Sequence, residues 1–315
     1  MQRQMSRPQA QDVISQLFSD FEELVGDGKV GRDACIRGGL ASFQGAAQCV
    51  VIATFKGHSP GAMQDSNFGM ASPHGYRTAL RLMDLAERFG LPVFTLIDTV
   101  GAWPTFASEA SGQSEAIATN LTKMAGLTVP IITLEVGEGG SGGALGIGMG
   151  NSVGMLSGGY FGVISPEGAA SILGRYPDEA SKAERFPLDC QELALAQHIY
   201  ADQLRDMGVV DEIIWEHVRA AEDGEEEGVT EGAARGSAAG ARPLKRDLSP
   251  HRVSSARCCT SLLARTGRGP RPCRSALRRA AASSPPLQPS ALDTLAARSS
   301  AVTTSSKEPM RRNLS

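Results

Sequence analysis

The stretch Val129 to Gly150, VPIITLEVGEGGSGGALGIGMG, constrains the fold more than any other part of the chain. It opens as an apolar, β-branched run suited to a buried strand. It then turns through Gly137-Glu138-Gly139-Gly140-Ser141-Gly142-Gly143 into small apolar residues, Ala144 to Met149, that can begin a tightly packed helix. A strand that runs through glycines into a helix leaves backbone N–H groups free at the helix start, where the helix dipole also favours negative charge. Glycine removes the Cβ that would hold a ligand away from those groups. A tight bend with no ligand is the competing reading of the same glycines. No Gly-Lys-Ser/Thr follows, which excludes a nucleotide P-loop. Gly137, Gly139 and Gly142 have dinucleotide-fingerprint spacing, but no ribose-binding acid stands about 20 residues on. Glu135 and Glu138 interrupt the apolar run, which argues against a membrane-spanning helix.

Elsewhere the same beat recurs. Val13, Leu17, Phe21 and Leu24 predict a helix over residues 8–25, with Asp12 as N-cap and Gly26 as stop. Residues 34–43 and 47–55 predict a hairpin across Gln44-Gly45, and Lys56 to Asn67 a polar loop. An amphipathic helix is expected over Pro73–Phe89, ended by Gly90. A strand over residues 92–97 should lead into Asp98-Thr99-Val100-Gly101-Ala102-Trp103-Pro104, followed by a helix over 113–125. Further elements are a short strand at 160–164, a helix opening at Pro166, a helix over 192–207 and a closing strand over 209–215. Continuously apolar strands alternating with helices imply an α/β fold with covered sheets. Ligands in such folds gather at the carboxyl ends of strands. The two bends that qualify are 98–104 and 137–143.

Composition divides the chain. From Arg242 onward there are 15 Lys/Arg against 3 Asp/Glu, a net +12, which leaves −15 for the rest of a chain at −3 overall. The acidic part argues against nucleic acid as its partner. Residues 1–217 read as one domain. Residues 218–315 read as a low-complexity, disordered tail, either inert or a basic arm for an acidic partner. The six cysteines form no Cys-x-x-Cys pair and the histidines are scattered, so neither a zinc site nor a disulfide framework is expected. No secretory signal or membrane span is read.

Four segments in series resemble a known family. They are Asn67-Phe68-Gly69-Met70 with Gly75-Tyr76-Arg77; Ile97-Asp98-Thr99 with Gly101-Ala102; Gly112-Gln113-Ser114-Glu115-Ala116-Ile117-Ala118 with Asn120-Leu121; and Gly137 to Leu145, followed by Val163-Ile164-Ser165-Pro166-Glu167-Gly168. From Arg7 to Trp215 the chain is similar to the α subunit of the carboxyltransferase component of multi-subunit acetyl-CoA carboxylase, of the bacterial and plastid type. It departs from that pattern at Val100, Trp103 and Thr105, and in the loop over residues 58–66.

The resemblance implies a crotonase-like spiral of ββα units. It implies transfer of a carboxyl group from carboxybiotin, carried by a biotin carboxyl carrier protein, to acetyl-CoA, giving malonyl-CoA for fatty-acid synthesis. It also implies an α2β2 assembly with zinc in the β subunit, and a separate biotin carboxylase that consumes ATP. The expected site is a backbone oxyanion hole for biotin in Gly139, Gly140, Ser141, Gly142 and Gly143, with Gly101 and Ala102 as its second wall and no metal. Lys56 and Arg77 are candidates for the phosphates of CoA, against a reading as solvated residues. Asp98 and Glu138 are candidate acids or bases, against a reading as caps of a turn or helix. The expected compartment is cytoplasm, or plastid stroma behind a transit segment. Two other readings stay open: a non-catalytic scaffold that keeps the fold, and a single-chain crotonase-like acyl-CoA hydratase or isomerase.

Overall fold

The computed structural model describes residues 7–216 except 30 and 46. The basic tail and its disorder, read over 218–315, lie outside the described residues.

Eight strands form one mixed sheet. A helix α1 (Ala10–Leu17) leads into β1 (Phe18–Glu23), β2 (Ile36–Phe43) and β3 (Ala47–Thr54), which pair antiparallel in that order. After the short α2 (Pro60–Asp65), a 3-10 turn at Asn67–Gly69 and α3 (Pro73–Phe89), the chain enters β4 (Val93–Thr99), parallel to β3. Next come α4 (Phe106–Ala110) and α5 (Gln113–Gly126), then β5 (Ile131–Gly140) beside β4, α6 (Ser141–Gly148) and β6 (Ser152–Leu156) beside β5. A three-residue β7 (Tyr160–Gly162) pairs with the last residues of β5. The chain continues through α7 (Pro166–Leu173), α8 (Glu179–Ala196) and α9 (Ala201–Asp206) to β8 (Glu212–Ile214), which lies beside β6.

Strand alternation sorts the core into two faces. Phe94 and Leu96 of β4 and Ile132, Leu134 and Val136 of β5 face α1. Val93 and Ile97 of β4 and Ile131 of β5 face α3, α5 and α6. On the second face β5 next presents Thr133 and then Glu135, both buried. The Thr95 and Thr133 hydroxyls satisfy each other across the strands at 2.7 Å.

The helix expected over residues 8–25 is cut short. It spans Ala10–Leu17 with Gln9 as N-cap, and Asp12 acts from inside the first turn, accepting the Gln9 amide at 2.8 Å. From Phe18 the chain becomes a strand, because Phe18 gains an aromatic cluster there: its ring lies 5.6 Å from Phe43 and 5.2 Å from Phe94, and those two stack at 5.0 Å. Long-range packing overrides helical spacing here. Truncating the centre of this cluster, Phe43→Ala, should cost about 3–5 kcal/mol in urea unfolding, with an unchanged denaturant slope.

The helix expected over 192–207 is two helices. The break falls at residues 197–200, where Tyr160 and Tyr200 form an isolated β-bridge and Phe161 donates its amide to Ile199. Two short helices were not expected, α2 in the stretch read as a polar loop and α4 between the bend at 98–104 and the helix over 113–125, each capped by a hydroxyl, Ser59 or Thr105. β6 was not expected either.

Arg7 ties the two ends of the described chain together. Its guanidinium pairs with Glu216 at 3.1 Å and donates to the Val136 carbonyl at 3.2 Å, while Glu216 also accepts the Gly158 amide at 2.7 Å.

Candidate functional site

The carboxyl ends of β3, β4 and β5 share one rim of the sheet, as their parallel pairing requires. The two bends singled out above meet there. β5 does not stop before its glycines, as the sequence pattern had it. It runs to Gly140, and α6 begins at the next residue. Gly139 pairs with Thr99 of β4 and with Phe161 of β7, and Gly140 pairs with Gly162, so both belong to the sheet ladder. Ser141 takes the turn itself with φ +53, a conformation non-glycine residues rarely adopt. Ser141, Gly142 and Gly143 form the first turn of α6, whose N–H groups have no intrahelical acceptor.

The second bend lies against the first. A Cβ on Gly140 would strike the Val100 carbonyl and sit 2.9 Å from the Gly101 nitrogen. A Cβ on Gly143 would strike the Ala102 nitrogen and Gly101 backbone. Close approach of two main chains is therefore what these two glycines provide. Gly101, at φ +151, has its amide held by the Thr99 hydroxyl at 3.1 Å, and Trp103 donates its amide to Ala71 at 2.9 Å. The opposite side is open: a Cβ on Gly101 or on Gly142 would meet nothing within 4 Å. Ser141 is exposed and Gly142 half-buried. The two bends are thus packed main chain to main chain, with the start of α6 at the contact and open space over Gly101 and Gly142.

Beneath the bends lies a buried ionic cluster. Lys56, just past β3, reaches Glu138, and stands 3.5 Å from Asp98 at the end of β4. Asp98 accepts the backbone amide of Glu138 at 3.0 Å, and Tyr160 donates its hydroxyl to Glu138 at 3.2 Å. All four side chains are buried. Burial works against the charge on Lys56, but the Asp98 and Glu138 carboxylates override it and hold its pKa above the usual lysine value. Burial pushes Asp98 up, and Lys56 and the Glu138 amide only partly pull it back. Neither acid caps a helix. Asp98 instead braces the strand that carries the glycine bend. Lys56 is enclosed by this cluster and turned away from solvent. Arg77, half-buried on α3, donates to the Ser111 carbonyl at 2.7 Å and pairs with Glu115 at 3.3 Å, which fixes the start of α5. His58 and His74 bond to Asp12 and Asp27 respectively. Among the described residues no group of three or more His, Cys, Asp or Glu side chains is placed to hold a metal, and no helix is long and apolar enough to cross a membrane. Cys35 and Cys49 are buried free thiols.

Glu135 escaped the reading of the sequence as a site residue. It is the one acid inside the run IITLEV, and that interruption of apolar pattern was the available signal. It is 2% exposed, and its Oε1 has no hydrogen-bond partner. Burial, followed by the nearby Asp98 and Glu138 charges, raises its pKa well above the carboxylate range, with Arg7 opposing. The sign of the stability effect follows. Unfolded, this carboxyl ionises near pH ~4.3, while burial raises its value in the folded chain, so rising pH above ~4.3 favours the unfolded chain. Glu135→Leu should therefore gain stability over the unaltered chain from about pH 4.3 upward, by up to about 1.4 kcal/mol per pH unit, until the folded pKa is reached. Thermal melts between pH 4 and 8 read this directly.

A family model described as acetyl co-enzyme A carboxylase carboxyltransferase-like matches residues 1–238. The chain is 49% identical over 219 residues to the acetyl-coenzyme A carboxylase carboxyl transferase subunit alpha of Bordetella pertussis, covering 70% of this chain and 65% of that relative. It is 50% identical over 224 residues to the subunit of the same name from Thioalkalivibrio sulfidiphilus, covering 71% and 67%. The chain thus spans about two thirds of the length of the relatives it matches. Among solved structures, a transcarboxylase 12S hexamer with hydrolysed methylmalonyl-coenzyme A bound superposes with a TM-score of 0.57 at 20% identity, over 68% of this chain and 40% of that one. A single-chain, multi-domain long-chain acyl-CoA carboxylase superposes at 0.54 and 21% identity, over 68% and 21%. At these identities the likeness is one of fold.

Proposed function

Since the chain belongs to the acetyl-CoA carboxylase carboxyltransferase-like family, we propose that it works as the α chain of a carboxyltransferase, moving a carboxyl group from carboxybiotin to acetyl-CoA to form malonyl-CoA. The observation that carries this reading is the packing of the two bends at the rim, which we read as a recess for the biotin ureido group. Two bends are packed main chain to main chain, with the α6 amides on one side, the Gly101-Ala102 backbone on the other, and open space over Gly101 and Gly142.

Carboxybiotin supplies CO2 and a ureido group that takes up negative charge as CO2 leaves and can then accept a proton from the acetyl methyl group. The recess answers that charge. Fixed main-chain donors at a helix start stabilise an oxyanion without reorganising, and losing one such donor typically lowers a rate by about 10²–10³. Ser141, Gly142 and Gly143 are the donors we assign, with Ala102 as the facing one. Gly140 serves by letting the two bends close on each other, and Gly139 by leaving room for the Phe161 ring and the Glu135 carboxyl. Lys56 we assign to bracing the bend through Asp98 and Glu138 rather than to CoA, because it is buried. Arg77, which keeps a half-exposed face, is retained as a phosphate contact.

The acyl thioester's own oxyanion hole, and the zinc, belong in this reading to a β subunit in an α2β2 assembly. Apolar side chains exposed on and beside α7 and α8, Val163 at 76%, Ile172 at 73% and Leu195 at 61%, offer a face for such a partner. The biotin arrives on a carrier protein charged by a separate ATP-dependent carboxylase, in cytoplasm or plastid stroma. A hydratase or isomerase would need a carboxylate pair facing its substrate. Asp98 and Glu138 are instead buried against Lys56, which disfavours that reading.

The test is reconstitution. The chain, mixed with a carboxyltransferase β subunit, should convert malonyl-CoA to acetyl-CoA in a reaction that depends on added biotin. Binding of the β subunit without biotin-dependent turnover would favour the scaffold reading instead.

A further inference from the structure

The helix that opens the glycine turn cannot hold its own shape. Four of the eight residues of α6 are glycine, the poorest helix former after proline, and a helix this short is not stable alone. Its neighbours supply what it lacks. The Tyr76 hydroxyl on α3 donates to the Gly143 carbonyl at 3.0 Å. The Asn120 side-chain amide on α5 donates to the Gly146 carbonyl at 3.0 Å and to the Tyr76 carbonyl at 3.0 Å. Gly143 and Gly146 stand three residues apart, so both bonds fall on one face of α6. Tyr76 is 1% exposed and Asn120 0%, and buried bonds of this kind do not compete with water. The ring is seated closely as well: a Cβ on Gly146 would strike it.

What Tyr76 holds matters because of where Gly143 lies. Gly143 is also the residue whose missing Cβ lets α6 touch the Gly101 and Ala102 backbone. It is therefore set from two sides, by the second bend and by the Tyr76 hydroxyl. A hydroxyl at the end of a rigid ring, itself anchored on α3, fixes a distance that an apolar contact would leave loose. We propose that Tyr76 is a positioning residue for the glycine turn: through its bond to the Gly143 carbonyl it sets the aim of the Ser141 to Gly143 amides toward Ala102. It acts through α6 and not on a ligand. Its effect on rate rests on the carboxyl-transfer reading above; its hold on α6 does not.

Tyr76→Phe keeps the ring and removes the bond. Thr78→Val is its control, because it also takes a buried hydroxyl from α3, one that donates to the His74 carbonyl within the helix at 2.8 Å. Hydrogen exchange of the full chain, read by mass spectrometry over residues 141–150, should run about three- to tenfold faster in Tyr76→Phe and be unchanged in Thr78→Val. With a β subunit, biotin and malonyl-CoA, well below the melting temperature, Tyr76→Phe should lower kcat by about tenfold or more at an unchanged KM for malonyl-CoA. Thr78→Val should keep both constants. Unchanged exchange in Tyr76→Phe, faster exchange with full kcat, or an equal loss in Thr78→Val would each overturn the proposal. Should the unaltered chain show no turnover, the carboxyl-transfer reading falls, and the exchange result alone decides whether Tyr76 holds α6.

Discussion

Gly140→Ala should lower biotin-dependent carboxyl transfer by about 10²–10³ and cost about 1–3 kcal/mol of stability. The backbone itself tolerates alanine there, since Gly140 has φ −89 and ψ 114. What fails is space, because the new methyl would run into the Val100 carbonyl. The two bends must then part, and main-chain donors held at fixed separation lose their aim. Gly142→Ala separates the two causes. Its methyl would meet nothing within 4 Å, and alanine is the better helix former, so the variant should be as stable as the parent or slightly more so. Its methyl would nevertheless stand in the opening through which a ureido group must come. Reduced turnover in Gly142→Ala, with an unchanged or raised melting temperature, is the expected signature of a recess that receives a ligand. Full turnover in that variant would mean that nothing approaches over Gly142.

Lys56→Met should be the most destabilising single change at the rim, by about 3–5 kcal/mol near neutral pH. It leaves Asp98 and Glu138 buried together without their cation, and the Asp98 carboxyl continues to accept the amide that positions the glycine bend. The pH dependence identifies the cause. In the unaltered chain the folded lysine pKa is raised, so its contribution is fully present below the unfolded lysine value near ~10.4 and is lost as pH rises through the folded value. In the variant the buried Asp98 carboxyl, already pushed up by burial, folds best when protonated, so the deficit should shrink as pH falls from 7 toward the carboxylate range. Denaturant titrations at pH 4, 5 and 7 measure this. A deficit that does not change with pH would point to lost packing rather than unpaired charge.

These two outcomes also mark how far the residues spoke for themselves. The α3 boundaries, Pro73 and Phe89, are legible because local devices set both ends: a proline in the first turn, and Gly90 in the left-handed conformation after the last. The β2–β3 hairpin is legible for the same reason, through strand alternation around Gln44-Gly45. The family motifs point to both bends, and the chain brings them into contact. What could not be read locally was decided at a distance. Phe18 leaves its helix for Phe43 and Phe94, and the helix expected over 192–207 breaks where Ile199 and Tyr200 are claimed by β7. Lys56, Asp98 and Glu138 stand 40 or more residues from one another. Their common feature in the sequence is that each follows or ends an apolar strand, which parallel pairing then gathers on one rim. The two hypotheses for Lys56, phosphate contact or solvated residue, both assumed a surface position, and burial removes that assumption.

A structure of the chain assembled with a β subunit and biotin would test the central claim most directly. The account predicts the ureido oxygen within hydrogen-bonding distance of main-chain nitrogens in Ser141 to Gly143, facing Ala102. Biotin seated elsewhere, or a ureido oxygen held only by side chains while those amides face solvent, would contradict it.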